Sequence, residues 1–197
     1  MNKELTNENK LIEDIKKTFP SSEVSIQREK RVIVKIKQDT VPPLLSYVKD
    51  YLDFNHLSHI SCVDWIEQKK FELVFILWSY DQQIQIIAKT LINRDEPKFT
   101  TINKLWRQAE TYEREIHEMY GVEFVGNDRM GDFLLEDWED IPPMRRDFNT
   151  IQFVKENFND RSAAREDSKN VRETIAKHSG EEIPEFAKKY STRNIDE

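Results

Sequence analysis

A chain of 197 residues is long enough for one domain with a core of its own and a short appendage. Its 30 basic and 37 acidic residues leave a net charge of −7 and a pI near 5.3, a balance that excludes broad binding to nucleic acid or anionic lipid, both of which need a basic field. A charged fraction of 34% and a mean hydropathy of −0.75 predict a large polar surface, and the longest apolar run, Leu73 to Trp78, falls far short of the ~20 residues of a membrane helix.

The opening "MNKELTNENK" has neither the apolar core nor the cleavage site of a secretory signal, which predicts a cytoplasmic chain with a polar N-terminal extension over residues 1–9. Leu11, Ile12, Ile15 and Phe19 then recur at helical spacing up to Pro20. "EVSIQ" and "RVIVKIK" alternate apolar and polar residues around the polar turn "REK", the pattern of a hairpin. "VPPLLSYVKDYL" starts on prolines and repeats Leu44, Leu45, Val48, Tyr51 and Leu52 on one stripe, predicting a second helix. From Asn55 to Ile92 three β-rich runs, broken near Gln68–Lys70 and Asp81–Gln83, predict an antiparallel meander. A third helix is expected from about Thr101 to Tyr120, stopped by Gly121.

These elements predict an α+β domain over residues 10–148, with a mixed or antiparallel sheet and helices packed on one face. From Asn149 charged residues dominate and large apolar side chains come singly, so 149–197 reads as an extended, partner-dependent C-terminal tail. Phe153, Phe158, Val171, Ile175 and Phe186 are its candidate anchors, and "AREDSKNVRETIAKH" carries weak helical periodicity.

In the third helix, Leu105, Ala109, Tyr112, Ile116 and Met119 form one apolar stripe, while Glu110, Arg114 and Glu118 follow at intervals of four on another face. Helical metal signatures place two histidines four apart or a glutamate and histidine three apart; Glu113 and His117 have neither spacing. His56, His59 and Cys62 stand three apart, and on a regular strand His56 and His59 diverge to opposite faces. Gly121, Gly126 and Gly131 follow a helix instead of opening one, so they make no dinucleotide loop. A lone cysteine, Cys62, cannot hold an iron–sulfur cluster, which takes about four thiolates. No catalytic, cofactor-binding or metal site is therefore expected. "FLLEDWEDIPPMRRDF" instead joins Trp138, Met144 and Phe148 to the guanidinium forks of Arg145 and Arg146, a composition suited to a protein interface or to a covering loop.

Taken together, "YEREIHEMYGVEF" and "LLEDWEDIPPMRRDF" closely resemble the signature of the C-type, or thirty-kilodalton, subunit family of proton-translocating NADH–quinone oxidoreductase, respiratory complex I. Glu113, Arg114, Glu115, Glu118, Met119, Tyr120 and Gly121 match the helix block, and Trp138, Pro143, Arg145, Arg146 and Asp147 match the second. Departures lie in the linking loop. Gly126, Asn127 and Asp128 replace a Gly-His-Pro turn, Gly131 or Asp132 stands for an arginine, a proline is missing before Glu136, and an extra residue precedes Pro143.

The resemblance implies a cofactor-free subunit, with FMN, Fe-S clusters and quinone in partner subunits. It implies docking on the D-type subunit of the peripheral arm, near the B-type and I-type subunits, in a hetero-oligomer on the cytoplasmic side of the cell membrane. That complex passes electrons from NADH to quinone and couples this to proton translocation. Two alternatives stay open: the equivalent subunit of an energy-converting hydrogenase or ferredoxin-fed relative, and a free-standing metalloenzyme using Glu113, His117 and His56.

Overall fold

The computed structural model describes residues 6–158, and the chain divides into two compact units, Met1–Phe148 and Asn149–Glu197. The first unit opens with α1 (Thr6–Thr18), so the end of the stretch read as a polar extension, residues 6–9, is the first turn of this helix. Burial explains the shift. Glu8 is 6% exposed and accepts a hydrogen bond at 2.8 Å from the backbone N–H of Lys30, which sits in the hairpin turn with φ of 61°.

That turn joins β1 (Glu23–Arg28) to β2 (Arg31–Lys35). Next, α2 (Val41–Leu52) begins with its prolines in the first turn, where a missing N–H costs nothing, and buries Val41, Leu44, Leu45 and Val48. The meander follows as β3 (His56–Trp65), β4 (Lys70–Ser79) and β5 (Ile84–Asn93), each antiparallel to the next. β5 then pairs in parallel with β2, Val32 opposite Ile86, to give one mixed sheet in the order β1-β2-β5-β4-β3.

Period-2 patterning sets the two faces of the sheet. On β4, Phe71, Leu73, Phe75, Leu77 and Ser79 are fully buried, whereas Glu72, Ile76 and Trp78 on the alternate face are only half-buried. The buried face shares one core cluster with Leu11 and Ile15 of α1, Leu44 and Val48 of α2, and Ile116 of α3 (Ala109–Tyr120). Phe75 lies against Phe99, with ring centroids 5.4 Å apart, and Phe99 against Phe124 at 6.1 Å. Ile33, Ile76, Ile87 and Trp78 stand outside that cluster.

Two features differ from the sequence expectation. The third helix starts at Ala109 and not near Thr101, because residues 98–108 are used otherwise: Lys98–Thr100 is a short strand, β6, paired in parallel with β7 (Glu123–Val125), and the turns after it are fastened elsewhere. Trp106 donates its indole N–H to the Asn55 carbonyl at 2.8 Å, and Gln108 donates to the Leu57 carbonyl. The second difference is a β-bulge between Leu57 and His59. It adds one residue, so His56 and His59, expected to diverge, both fall on the outward phase opposite Trp78 and Ile76. Their rings still go to separate neighbours, His56 to Tyr80 at 5.6 Å and His59 to Tyr112 at 5.0 Å.

Of the second unit, the described part is not extended but helical. α4 (Thr150–Asn157) forms because the Asn149 side chain caps it, accepting from the Gln152 N–H at 3.1 Å. Val171, Ile175, Phe186 and the weakly periodic "AREDSKNVRETIAKH" lie outside the described residues.

The one-faced core has a measurable consequence. Phe75→Ala should cost about 3–5 kcal/mol in urea unfolding of the full chain, whereas Ile76→Ala, one residue along on the open face, should cost roughly 1 kcal/mol. Equal losses would contradict the assignment of faces.

Candidate functional site

Helix α3 is the element around which the signature residues gather. Spacing predicts an apolar inward stripe, yet Glu113 sits at its centre with no exposed surface. The Glu113 carboxylate accepts from the Thr101 hydroxyl at 2.6 Å, the Ile102 N–H at 2.8 Å and the Asn127 amide at 2.9 Å. Burial pushes its pKa above the ordinary glutamate range, and the three donors only partly offset that. Asn127, the residue standing where the resembled family has a histidine, is thus one of the donors that hold Glu113 in place.

Further along the helix, Glu118 does the opposite. Partial burial alone would raise its pKa, but N–H donors at Phe133, Leu134 and Leu135, within 2.9–3.2 Å, together with the Arg114 charge hold it below the ordinary range. A carboxylate in such a nest of N–H groups fixes the loop as an anion. Arg114 supports the same loop by donating to the Asp132 carbonyl at 2.8 Å and lying 4.7 Å over the Phe133 ring. The helix ends at Gly121, whose φ of 78° and N–H bond to the His117 carbonyl make the left-handed cap; a Cβ there would stand 3.3 Å from Pro142.

The second block folds back over this end of the domain. Met144 donates its N–H to the Met119 carbonyl at 3.0 Å, and the Arg146 N–H reaches Asp64 at 3.0 Å. Asp64, whose side chain is 2% exposed, is held bidentately by Arg94 at 2.8 and 3.0 Å, and the same guanidinium bonds Asp147 at 2.8 Å. Burial works against the Asp64 charge, but Arg94 and the Arg146 N–H outweigh it and keep its pKa low. Arg145 donates to the Arg94 carbonyl at 3.1 Å and lies 5.3 Å over Phe71; Arg146 pairs with Glu67 at 2.7 Å on the exposed rim. Trp138 donates to the Ile141 carbonyl at 3.1 Å and lies 5.6 Å from Phe148.

Nearly all the signature residues therefore act first within the chain. Glu113, Arg114, Glu118, Gly121, Arg145 and Asp147 have internal partners, Tyr120 packs edge-on against Phe71 at 5.9 Å, and half-buried Pro143 belongs to the same folded-back loop. Glu115 differs: it is half-buried on α3 and its side chain makes no hydrogen bond or ion pair among the described residues. Asp64, Arg94 and Thr101 had no local sequence signal, since the partners that tie them into this region lie 12 to 82 residues away. The metal triad is not assembled. Glu113 is enclosed by its donors, His117 Nδ1 is 2.8 Å from the Val122 carbonyl, and His56 packs on Tyr80. Among the described residues no group of three or more His, Cys, Asp or Glu could hold a metal ion.

The family model described as "Respiratory-chain NADH dehydrogenase, 30 Kd subunit" matches residues 34–154, which include the end of β2, the strands β3 to β5, α3 and the folded-back loop. The chain belongs to this family. Among relatives, the C subunit of F(420)H(2) dehydrogenase from Methanosarcina mazei is 29% identical over 145 residues, 70% of this chain and 89% of that one. The C subunit of NADH-quinone oxidoreductase from Moorella thermoacetica is 28% identical, over 70% of this chain and 92% of that one. One of the C/D subunits of NADH-quinone oxidoreductase in Aquifex aeolicus is 26% identical over 70% of this chain but only 23% of its own length. Among solved structures, a chain of the membrane-bound sulfane sulfur reductase, an archaeal respiratory membrane complex, superimposes with a TM-score of 0.71 at 26% identity, over 79% of this chain and 97% of that one. The protein is a thirty-kilodalton-type subunit of an NADH–quinone oxidoreductase or a related complex, and so part of a hetero-oligomer.

The buried carboxylates give two tests. Glu113→Ala strands three buried donors and should cost about 2–4 kcal/mol, while Glu113→Gln should cost less and remove a pH dependence. Because the folded pKa is raised, the wild-type contribution is full below the unfolded glutamate value of about 4.3 and is lost as pH rises through the folded value. Unfolding titrations should accordingly show the wild type losing ground to Glu113→Gln from about pH 4 upward. Arg94→Ala leaves Asp64 buried and unpaired, at a cost of about 3–5 kcal/mol. By contrast, Arg146→Ala, which removes an exposed pair, should cost roughly 0–1 kcal/mol, as read by thermal melts of the full chain.

Proposed function

We propose that this chain is a cofactor-free structural subunit in the peripheral arm of a proton-translocating NADH–quinone oxidoreductase. It assembles and stiffens the arm while FMN, Fe-S clusters and quinone are carried by partner subunits. Its principal partner is a D-type subunit, with the B-type and I-type subunits nearby, on the cytoplasmic side of the membrane. The observation that carries this reading is the outward face of the mixed sheet, where Ile33, Ile76, Ile87 and Trp78 are outside the core cluster and Leu91 is 48% exposed. An apolar face of this kind, half-buried in the isolated chain and outside its core, suits an interface. The Aquifex aeolicus relative, whose name joins C and D in one polypeptide, supports a D-type neighbour, because fused units tend to be contacting units. A single buried cysteine offers no ligand set for an electron carrier, and no helix among the described residues is long and apolar enough to cross a membrane.

A second reading rests on the F(420)H(2) dehydrogenase relative, which this chain matches over most of its length, and on the sulfane sulfur reductase fold match. In it the same docking subunit serves a complex fed by another donor, as an energy-converting hydrogenase or ferredoxin-fed enzyme would be.

Affinity purification of the tagged chain from its native cells tests both. The expected result is recovery of a D-type subunit with NADH-dependent quinone reduction; oxidation of a deazaflavin or ferredoxin donor instead selects the second reading. Ile87→Glu on the open face should abolish recovery while the full chain still unfolds cooperatively, with only a small loss of melting temperature. If the chain comes down alone from cells that express the complex, the docking role is wrong.

A further inference from the structure

Between edge strand β3 and the second half of α3 lies a cleft of about 220 Å³, walled by Ile116, Met119, Met144 and Tyr120, with Cys62 at the strand side and Glu115 beside it. Its size is below the roughly 300–1,000 Å³ of small-molecule sites and suits one long side chain. Methionine walls are adaptable apolar surface, suited to the methylene stem of a long cationic residue whose head stays polar. Among the described residues the Glu115 side chain has no hydrogen-bond or ion-pair partner, although its neighbours Arg114 and Glu118 are both engaged with the loop at 132–135. The cleft also borders the outward sheet face, since its His59 stands opposite the half-buried Ile76 in the β3–β4 register. A partner lying on that face reaches the cleft without leaving the surface.

We propose that this cleft receives one arginine or lysine side chain of the subunit that covers the sheet, its stem between Met119 and Met144 and its charged head on the Glu115 carboxylate. This rests on the docking reading above and adds to it the chemistry of the anchor. Removing one member of a desolvated carboxylate–cation pair is costly because the other charge is left buried and unpaired, whereas exposed rim pairs count for little. Glu115 is therefore the signature carboxylate that crosses to the partner, while Glu113 and Glu118 stay inside.

The test uses the full chain in its native complex. With the tagged wild type recovering the complex, Glu115→Lys should lower partner recovery on the order of tenfold or more, and Glu115→Gln by a smaller factor. Both variants should melt like the wild type when purified alone. Independently of folding in those variants, Glu115→Cys should react with a maleimide in the purified chain and be protected in the complex. The native Cys62 adds little background, because burial pushes its thiol up to about 12. Wild-type recovery of the complex together with undiminished recovery by Glu115→Lys, or equal labelling of Glu115→Cys free and assembled, overturns the cleft assignment and leaves the docking reading standing. Failure of the wild type to bring down any partner overturns the docking reading itself.

Discussion

A carboxylate with no exposed surface, Glu113, holds three separate stretches of this chain together. It takes donors from Thr101 and Ile102 after β6 and from Asn127 after β7, while its own helix runs between them. An isolated buried anion is costly, and only a full set of donors makes the arrangement tolerable. The geometry is therefore demanding: the turns at 101–102 and at 127 must both be in place before α3 can seat its inward face. That requirement explains why α3 begins only at Ala109, after the chain has passed Thr101 and Ile102 beneath the carboxylate.

Two further anions repeat the device at the edge of the same region. Glu118 gathers three successive N–H groups of the loop that follows β7, and Asp64 gathers Arg94 and the backbone of Arg146. Charges that resemble the contents of an active site are thus used to fold a long loop back on the sheet. Their pKa values diverge by environment, Glu113 raised by burial and Glu118 and Asp64 lowered by donors. Such divergence accompanies catalysis in many enzymes, but here each group faces the chain's own backbone and side chains. This suits a member of a family of complex subunits, whose surface has to hold its shape against a neighbour.

Much of the fold was legible because it depends on local pattern. Alternation in "RVIVKIK", the β-rich apolar run in "FELVFILWS", prolines at the start of α2 and Gly121 at the end of α3 each fix an element through neighbours a few residues away. The expected helix start near Thr101 fails for the opposite reason: helical spacing persists through Leu105, but the Trp106 indole and Gln108 amide are spent on carbonyls about fifty residues upstream. The bulge at Ser58 had no sequence mark at all, yet it reversed the facing of His59. At the site, the family signature pointed to residues that the fold gathers around α3 and the folded-back loop, but the choice between internal and external partners was not written in it.

By itself the sequence determined the class of the fold, the order of its main elements and the family. Periodicity and motif are properties of short stretches, and burial of one face follows from them. Tertiary structure alone decided the parallel pairing of β2 with β5, the β6–β7 pair, the burial of Glu113, and the capture of Asp64 by Arg94. Each of these joins residues far apart in the chain, and a charge reveals whether it is solvated, paired or enclosed only when its neighbours arrive from elsewhere in the fold. For the stretch Glu113 to Glu118 the outcome differs residue by residue: Glu113 and Glu118 are held by donors of the chain itself, whereas Glu115 lines the methionine cleft with no side-chain partner among the described residues.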